Sequence, residues 1–578
     1  MRDNMRLVAR TDSTGPRHNR PRRVPREKSL MDASATRHGS SEANARCASE
    51  RAAEPRALRI GVDVGGTNTD AVLMKGLSVI CAVKRPTTPD VVSGMVEAIT
   101  GLGSDSSFRI AEVRAIMVGT TQFANALLQR EGLDRVDVVR LAVPATTALP
   151  PFSGWPLELQ SSLAGKVYLC HGGYEFDGRQ ITPLDEAELR AVGEQLRSTE
   201  AKAIAICGVF SPINAQMEES AAAILQTAVP DAEIAVSHEI GRLGLLEREN
   251  ATILNASLQR LAKSLVAGTV SALKECGMDA PLYFTQNDGT LIAADRVVRY
   301  PVMTINAGPT NSMRGAAILS STDNCVVIDV GGTTTDIGAV VNGFPREAMS
   351  AVVVAGVRTN FRMPDLVSLP IGGGSVVAFE SGRMMGPHSV GFALGTEGYV
   401  FGGQTLTATD LAVRVGRAAV GDPSLVATVD GERAREVLGW AESEVGSHAE
   451  TMRSQAGEWP LVIVGGGSIV LSEGIEGFAA VIKPPHYEVA NAVGAACARV
   501  GGYAERIFAA GAVGAQGRSA LVEQTQHAAV DAAARAGARV ESIEVVEMEE
   551  VPMAYIPGDY FRLRVRAVGD LELMEPSA

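Results

Sequence analysis

The sequence predicts an α/β protein built from two related halves that face each other across a cleft. Three observations predict this class: an octapeptide that occurs twice, glycine turns that follow short apolar strands, and helical apolar spacing in the segments between them. The chain has 578 residues, of which 46% are hydrophobic. At about 150 residues per domain, this length is enough for roughly three or four domains.

Charge and composition exclude several kinds of partner. The net charge of −13 disfavours a general nucleic-acid binder or a protein bound to an anionic membrane, because both need a positive surface. Apolar runs stay well short of the roughly 20 residues that a bilayer span needs. The seven cysteines are scattered singly, without a Cys-x-x-Cys pair for zinc, an iron–sulfur cluster or redox exchange. We therefore expect a cytoplasmic protein without a membrane or nucleic-acid partner.

The first 56 residues differ from the rest in charge and patterning. They contain 13 Lys and Arg against 7 Asp and Glu, and they show no sustained apolar periodicity. This composition predicts a disordered extension. An alternative is that translation begins near Met31.

The first octapeptide, "DVGGTNTD" at residues 63–70, follows the apolar run "LRIGV" and precedes the apolar run "AVLM". This order predicts strand, turn and strand, whereas a Walker or Rossmann phosphate loop leads into a helix. A glycine hairpin can still bind phosphate through its backbone N–H groups and nearby hydroxyls. The candidate phosphate-binding residues are Gly65, Gly66, Thr67, Thr69 and Asp70. Asp63, at the strand end, is a candidate Mg²⁺ ligand, acting through water.

The second octapeptide, "DVGGTTTD" at residues 329–336, has the same setting. Two matching copies predict duplicated domains that present both hairpins to one triphosphate, with Asp63 and Asp329 converging on a single metal. The corresponding candidates in this copy are Gly331, Gly332, Thr333, Thr334 and Asp336. Either copy alone would also be compatible with an ordinary Asp-Gly hairpin.

A third glycine turn follows the predicted strand "LVIV". Gly465, Gly466, Gly467 and Ser468 form a turn in which a flat ring can lie against the backbone, which suits an adenine or ribose site. A simple loop is the alternative interpretation. Beyond this turn, "YEVANAVGAACARVGG" predicts a helix rich in small residues, which permits close packing against a neighbouring helix.

Eight motifs in order resemble the hydantoinase A / 5-oxoprolinase family: "GVDVGGTNTDAVLM", "GTTQFANALLQREG", "ERENATILNASL", "TQNDGTLI", "INAGPTNSMRGAA", "VIDVGGTTTDIGAV", "PIGGGSVV" and "ANAVGAA". The resemblance extends from about residue 57 to about residue 510. It implies duplicated actin-like ATPase domains of ribonuclease-H-like topology around a nucleotide cleft. It also implies ATP and Mg²⁺ as cofactors and a cyclic amide, such as a hydantoin or 5-oxoproline, as substrate.

The resemblance also gives roles to individual residues. Phosphoryl transfer to the amide oxygen makes the ring carbon electrophilic, so water can open the ring. Asp63, Asp329, Thr67 and Thr333 are the catalytic candidates, and the two aspartates are also the metal candidates. The substrate candidates are Thr120, Thr121, Asn125, Gly372, Gly373, Gly374 and Ser375. For the threonines the alternative is helix capping, and for the glycines a structural turn.

The predicted domains are residues 1–56, the extension; 57–245, the N-terminal hydantoinase/oxoprolinase domain; 246–510, the hydantoinase A central ATPase domain; and 519–578, a small C-terminal α+β appendage. Fewer than 70 residues follow the end of the resemblance near residue 510, so we expect the large portion that other family members carry as a B subunit to be absent from this chain. We expect a hydantoinase B-like partner subunit and an oligomer.

Three alternative functions remain open at this level. Within the family, the chain could be a subunit of an ATP-dependent ketone carboxylase, which requires bicarbonate. Within the superfamily, it could be a small-molecule kinase or a chaperone-like regulatory ATPase. The segment "RLAVPATTALPPFSGWPLELQ" departs from ordinary hydantoinase subunits, so the sequence leaves the identity of the substrate open.

Overall fold

The computed structural model describes residues 57–573, except for residues 89, 106–108, 349–350, 381–382, 454–458 and 554–559. The predicted extension at residues 1–56 lies outside the described residues. None of the helices in this described part has the length and apolar character needed to span a bilayer.

The strands occur along the whole described chain. Those before the second octapeptide are β1 Leu58–Val64, β2 Asn68–Lys75, β3 Ser78–Pro86, β4 Val113–Thr120, β5 Val136–Val143, β6 Ala164–His171, β7 Ala203–Gly208, β8 Glu233–Val236, β9 Leu282–Thr285 and β10 Thr290–Ala293. The later ones are β11 Cys325–Val330, β12 Thr335–Val341, β13 Phe344–Pro345, β14 Val352–Val354, β15 Val357–Thr359, β16 Leu366–Leu369, β17 Ser375–Glu380, β18 Arg383–Ser389, β19 Leu461–Val464, β20 Val481–Ile482, β21 Arg499–Ala509, β22 Glu544–Pro552 and β23 Tyr560–Gly569.

The helices lie between and after these strands. They are α1 Val91–Asp105, α2 Gln122–Gln129, α3 Leu157–Leu163, α4 Glu186–Ser198, α5 Gln216–Ala228, α6 Leu245–Glu275, α7 Ala294–Arg299, α8 Ala307–Ser320, α9 Leu394–Glu397, α10 Ala408–Arg414, α11 Gly431–Thr451, α12 Ala490–Ala496 and α13 Ala510–Arg535. Alternation of helices and strands confirms the predicted α/β class.

Two sheets repeat one topology. The first has nine strands in the order β22-β23-β21-β10-β9-β4-β1-β2-β3, and the second contains the order β13-β12-β11-β19-β20. In both, an antiparallel three-stranded meander continues through its first strand into two parallel strands: β3-β2-β1-β4-β9 matches β13-β12-β11-β19-β20. This shared order and direction is the predicted duplication.

Strands of the first sheet are covered on both faces. Ala71 and Leu73 of β2 belong to the core formed with α1, whereas Val72 and Met74 pack towards α12; all four are fully buried. Burial on both faces explains why β2 reads as a continuous apolar run without polar alternation. Burying each large apolar side chain contributes about 1.5–3 kcal/mol.

Small residues let α12 approach α8 closely, as predicted. A Cβ atom added at Gly315 would lie 1.8 Å from the carbonyl oxygen of Ala490, and one at Gly494 would lie 1.9 Å from that of Asn311. Any larger residue would therefore push the two helices apart. The predicted helix is shorter than expected, because Arg499 already begins β21 and pairs with β10.

A four-stranded parallel sheet, β6-β5-β7-β8, lies within the N-terminal half and packs on α4 and α5. The long helix α6 packs against this sheet. A buried ion pair joins the helix to the sheet. Arg140 Nε of β5 donates to Glu249 Oε1 of α6 at 2.7 Å, and both side chains are fully buried. The apolar positions Leu254 and Leu258 are fully buried on the same helix, as their spacing predicts.

The sheets do not follow the expected domain limits. Strands β9 and β10 join the first sheet although they come after residue 245. The C-terminal segment contains a helix and two strands, as predicted, but β23 pairs with β21 along ten residues and so extends the first sheet. The edge of β21 offers unpaired backbone groups, and pairing with β23 satisfies them.

Candidate active site

The two octapeptides form equivalent hairpins. In the first, Asp63 of β1 lies directly opposite Asp70 of β2; in the second, Asp329 of β11 lies opposite Asp336 of β12. Each hairpin therefore places two carboxylates side by side at the mouth of its turn.

The turns themselves also match. Gly65 N donates to Asn68 O at 3.0 Å, and Gly331 N donates to Thr334 O at 2.8 Å. Both turns thus close with the same backbone hydrogen bond, three residues apart. The remaining glycine and threonine of each turn stay at the tip.

The two turns face each other. A Cβ atom added at Gly332 would lie 2.9 Å from Thr67 Oγ1, so the second turn contacts the side chain of the first. Asp63 and Asp329 are close enough for the charge of Asp329 to raise the pKa of Asp63. The two aspartates therefore lie on facing hairpins, and their convergence on one metal stays a prediction.

Two asparagines hold Asp63 in place, and sequence reasoning did not assign them to the site. Asn311 Nδ2 donates to Asp63 Oδ1 at 3.3 Å, and Asn491 Nδ2 donates to Asp63 Oδ2 at 3.0 Å. Asn311 Nδ2 also donates to Thr285 Oγ1 at 2.9 Å. Both asparagines occur in motifs that carry the family resemblance, and this was the available signal. Asp63 lies 248 residues from Asn311 and 428 residues from Asn491, so only the fold brings these partners together.

Burial and mutual repulsion disfavour the ionised form of these carboxyl groups. Burial, then the charges of Asp70 and Asp329, raises the pKa of Asp63 to about 6. Burial and the charge of Asp329 raise the pKa of Asp336 to about 6, against a hydrogen bond from Ser368. A nearby cation would reverse these shifts, because it favours the ionised form.

Lys84 is the cation that the described residues place in this cluster. Its Nζ lies 2.6 Å from Asp70 Oδ1, so Asp70 is paired within the first hairpin. Burial raises the pKa of Asp329, whereas a hydrogen bond from Ser312 and the charge of Lys84 lower it. One lysine leaves the four carboxylates with an excess of negative charge.

The residues fit a hard divalent cation such as Mg²⁺, which prefers carboxylate and water oxygens. Glycines leave room beside both candidate ligands: a Cβ at Gly119 would lie 2.4 Å from Asp63 Oδ1, and one at Gly465 would lie 2.2 Å from Asp329 Oδ1. Asn311 Oδ1 is buried and lacks a hydrogen-bond partner among the described residues. The donor chemistry and the space around it therefore suit a hydrated metal ion.

The threonines of the hairpins divide into two groups. Thr67 is partly exposed and Thr333 exposed, at the turn tips. Thr69 is buried, and its Oγ1 pairs with Thr87 Oγ1 at 3.3 Å, so its hydroxyl points into the sheet. Thr334 contributes its carbonyl to the turn. Thr67 and Thr333 are therefore the hydroxyls open to a ligand, a distinction that the sequence pattern does not make.

The third glycine turn packs directly on the second hairpin. Gly465, at a φ of 89°, donates its N–H to Tyr487 O at 2.9 Å. A Cβ at Gly467 would lie 2.2 Å from Gly331 O, and one at Gly466 would lie 3.9 Å from Lys84 Nζ. Ser468 Oγ is buried without a partner in the described part of the chain. The predicted nucleotide residues thus form one continuous surface with the hairpins.

The Gly372–Gly374 turn supports the second hairpin. Gly373 N donates to Gly331 O at 3.0 Å, and Gly374 N donates to Gly332 O at 2.7 Å. Gly372 N donates to Ser375 Oγ at 2.8 Å. These N–H groups are occupied in this geometry, so the structural role is observed, and a substrate contact stays a prediction.

Thr120, Thr121 and Asn125 lie at the carboxyl end of β4, beside the end of β1. Thr120 Oγ1 accepts from Gln122 N at 3.1 Å, which is a capping contact for α2. Thr121 Oγ1 donates to Val64 O at 3.1 Å, and Asn125 N donates to Thr121 O at 2.9 Å. Thr120 thus contacts the first N–H of α2, whereas the N-cap residue Thr121 makes no side-chain cap and bonds to the strand that carries Asp63 instead. A substrate contact by these residues stays a prediction.

Solved structures of related folds cover most of the chain. The ATP-dependent caprolactamase from Pseudomonas jessenii superposes with a TM-score of 0.72 at 20% identity, covering 89% of this chain and 88% of that one. A nucleotide-free acetone carboxylase gives a TM-score of 0.64 at 17% identity, covering 91% and 90%. At these identities the likeness establishes the fold.

The curated relatives found by sequence align over a smaller share of each chain. The caprolactamase subunit alpha of Pseudomonas jessenii is 26% identical over 391 residues, 63% of this chain and 55% of that protein. The acetophenone carboxylase gamma subunit of Aromatoleum aromaticum is 28% identical over 395 residues, 62% and 53% respectively. The chain thus matches about half the length of these curated relatives.

Family models agree with the motifs. The hydantoinase/oxoprolinase N-terminal region matches residues 59–229, and the hydantoinase/oxoprolinase model matches residues 248–422. Together they span more than half of the chain and both octapeptides. The chain belongs to the hydantoinase/oxoprolinase family.

Proposed function

We propose that the chain is the ATP-dependent subunit of an enzyme that opens a cyclic amide, such as a hydantoin or a 5-oxoproline-like lactam, by phosphorylating the amide oxygen. The observation that carries this proposal is the meeting of the two hairpins, with Gly332 against Thr67 and Asp63 near Asp329. A relative named as the alpha subunit of a caprolactamase supports the choice of a cyclic amide.

The chain's own residues position the phosphates. The N–H groups of Gly66 and Gly332 and the hydroxyls of Thr67 and Thr333 donate to phosphate oxygens from opposite sides of the cleft. The turn from Gly465 to Ser468 holds the nucleoside part. Asn311 and Asn491 keep Asp63 oriented towards its ligand.

Asp63 and Asp329 would hold Mg²⁺, which, when bound, supplies positive charge to the phosphoryl group during transfer. In the reaction, the amide oxygen attacks the γ-phosphorus, the bond from the γ-phosphorus to the bridging oxygen breaks, and ADP leaves. Water then adds to the activated ring carbon, and the carbon–nitrogen bond breaks, which releases the ring nitrogen as an amine and leaves an acyl phosphate. A second water hydrolyses the acyl phosphate to a carboxylate and phosphate.

We further propose that a hydantoinase B-like partner subunit completes the enzyme as an oligomer in the cytoplasm. The named relatives are subunits of larger enzymes. The six cysteines in the described residues are free thiols, in keeping with a reducing compartment.

A second candidate is the ATP-dependent subunit of a ketone carboxylase. Two relatives favour it: the acetophenone carboxylase gamma subunit and the acetone carboxylase fold. The same clamp would then phosphorylate a different acceptor, and turnover would require bicarbonate together with a ketone.

The test is ATP hydrolysis by the purified chain with Mg²⁺, alone and with its B-like subunit, across hydantoins, 5-oxoproline and larger lactams. Stimulation by a cyclic amide without bicarbonate supports ring opening. Turnover that needs both a ketone and bicarbonate supports the carboxylase and contradicts ring opening. Failure of every cyclic amide in the presence of the partner also contradicts it.

A further inference from the structure

A polar cavity of about 640 Å³ lies beside the first sheet, away from the hairpin turns. Its wall is formed by the turn between β9 and β10, by β21 and β23, and by the segment that follows β8. Cavities of this size hold small-molecule ligands in other proteins. Neither the family resemblance nor the clamp assigns it a role.

Asp288 forms the centre of the cavity floor. Tyr503 Oη donates to Asp288 Oδ2 at 2.5 Å, while Thr290 donates to Asp288 Oδ1 from its N–H at 3.0 Å and its hydroxyl at 2.6 Å. Burial alone would raise the pKa of Asp288, but the charges of Arg566 and Arg362 bring it below its usual value. Asp288 is thus a fixed anion with its acceptors occupied.

One wall carries two arginines, and the ion pairs of Arg362 are long. Arg242 Nη2 lies 2.6 Å from Glu347 Oε2, and Arg362 lies 3.5 Å from the same carboxylate and 3.7 Å from Asp288. Burial lowers the pKa of Arg242, the charge of Glu347 partly restores it, and the cations Arg564 and Arg362 lower it again. A ligand carboxylate at this wall would relieve that repulsion, and guanidinium groups bind carboxylates through paired hydrogen bonds.

The lining of the same cavity also includes an incompletely compensated carboxylate, Glu547. Glu547 is half exposed, and its ion pair with Arg566 is long, at 3.9 Å. Arg566 donates instead to Asp288 O at 3.0 Å. Burial and the charge of Glu347 raise the pKa of Glu547 above its usual value. A ligand ammonium group beside Glu547 would compensate this charge.

We propose that the cavity binds an amino-acid zwitterion, with its carboxylate towards Arg242 and Arg362 and its ammonium group towards Glu547. This inference rests on the proposed function, because hydrolytic opening of a lactam produces a molecule with one amine and one carboxylate. The cavity is then the site that holds the ring-opened product.

The cavity floor is joined to the clamp by one helix. Asn306 N donates to Asn287 Oδ1 at 2.8 Å, and Thr310 Oγ1 donates to Asn287 O at 2.9 Å, so the floor fixes the start of α8. The same helix carries Asn311, which donates to Asp63. The cavity floor is therefore joined through the first turn of α8 to Asn311, the residue that contacts Asp63.

The test is isothermal titration calorimetry of the full chain, without nucleotide, using 6-aminohexanoate, hexanoate and hexylamine. We expect 6-aminohexanoate to bind at least about tenfold more tightly than either single-charge analogue, because it makes both charge-assisted contacts. Glu547→Gln and Arg362→Gln should each weaken it by roughly tenfold. The exposed Glu541→Gln is the matched control and should bind normally.

Glu547 is half exposed, so its amide variant keeps the fold even if the variant of Arg362 does not. Equal binding of hexanoate and 6-aminohexanoate, or normal binding by Glu547→Gln, would overturn the zwitterion site. Zwitterion binding without lactam-stimulated ATP hydrolysis in the presence of the B-like subunit would leave the cavity assignment standing and refute the proposed function. Lactam-stimulated hydrolysis without zwitterion binding would refute only the cavity assignment.

Discussion

Gly332 of the second hairpin packs against Thr67 of the first, so closely that an added Cβ would lie 2.9 Å from the threonine hydroxyl oxygen. The two residues are 265 positions apart in the sequence and occupy equivalent turns of the repeated topology. Their contact fixes how closely the two turns approach, and in the proposed function this sets the width of the phosphate-binding cleft.

Gly332→Ala should therefore widen this gap and misplace the second turn. Displacements of about 1 Å can cost about 100-fold in rate, and we expect a loss of this order in ATP turnover with a small change in melting temperature. Gly439→Ala is the control, because a Cβ there meets no atom within 4 Å on an exposed helix face. Normal turnover by Gly332→Ala would show that the contact between the two turns does not set the width of the cleft.

Asn311→Ala removes a donor to Asp63 and leaves the carboxylate less well oriented. Loss of such a supporting residue commonly costs about 10- to 100-fold in activity, and we expect Mg²⁺-dependent ATP turnover to fall within that range. Asn491→Ala should act in the same direction. Asn214→Ala, just before α5, is the control and should keep normal turnover. Activity of Asn311→Ala and Asn491→Ala equal to that of this control would refute the role of the two asparagines.

The buried ion pair between β5 and α6 predicts a large stability effect. Glu249→Ala leaves Arg140 charged and buried, which should lower the free energy of unfolding by about 3–5 kcal/mol. Glu186→Ala breaks the exposed pair with Arg190 and should cost at most about 1 kcal/mol. Urea denaturation of both variants measures the difference, and similar losses would contradict the prediction.

The pair formed by Glu218 and His238 predicts a pH dependence. His238 Nδ1 lies 2.7 Å from Glu218 Oε2. Burial opposes ionisation of both groups, but their mutual contact lowers the pKa of Glu218 below 4.5 and raises the pKa of His238 above 6.5. The glutamate contribution is lost as pH falls through its lowered pKa, and the histidine contribution as pH rises through its raised pKa.

Both contributions are complete between pH 4.5 and 6.5, the ordinary values of the two groups. The stability difference between the unmodified chain and His238→Gln should therefore be largest in this window and smaller on either side. Urea unfolding at a series of pH values measures it. A difference that does not vary with pH would show that the pair does not titrate as described.

The sequence was sufficient for the parts of the fold that depend on local pattern. Repeated glycine turns between apolar runs predicted both hairpins, and helical apolar spacing predicted helices in the segments between them. The sheet order was out of reach, because β23 pairs with β21 only once distant segments have folded together. For the same reason the C-terminal segment extends the first sheet instead of forming a separate appendage.

The residues of the candidate site also divide into those that a sequence motif identifies and those that only the fold brings to the site. The aspartates and glycines of the turns have a motif, and the structure brings them together. Asn491 and Lys84 have no local signal for their partners, since each meets a carboxylate only through tertiary packing. Thr69 shows that a motif does not by itself tell which hydroxyl is accessible. It lies in the same octapeptide as Thr67, yet strand alternation buries its hydroxyl against Thr87.

The most direct test of the clamp is Mg²⁺-dependent ATP hydrolysis by Asp63→Asn, Asp329→Asn and the double variant, with Asp531→Asn on the exposed face of α13 as control. If both carboxylates hold one metal, each single variant should lose at least about 100-fold in turnover, and the double variant should lose little more, because residues acting as a unit are not additive. Circular dichroism should show an unchanged fold. A double variant that hydrolyses ATP at the rate of the unmodified chain would contradict the two-hairpin clamp.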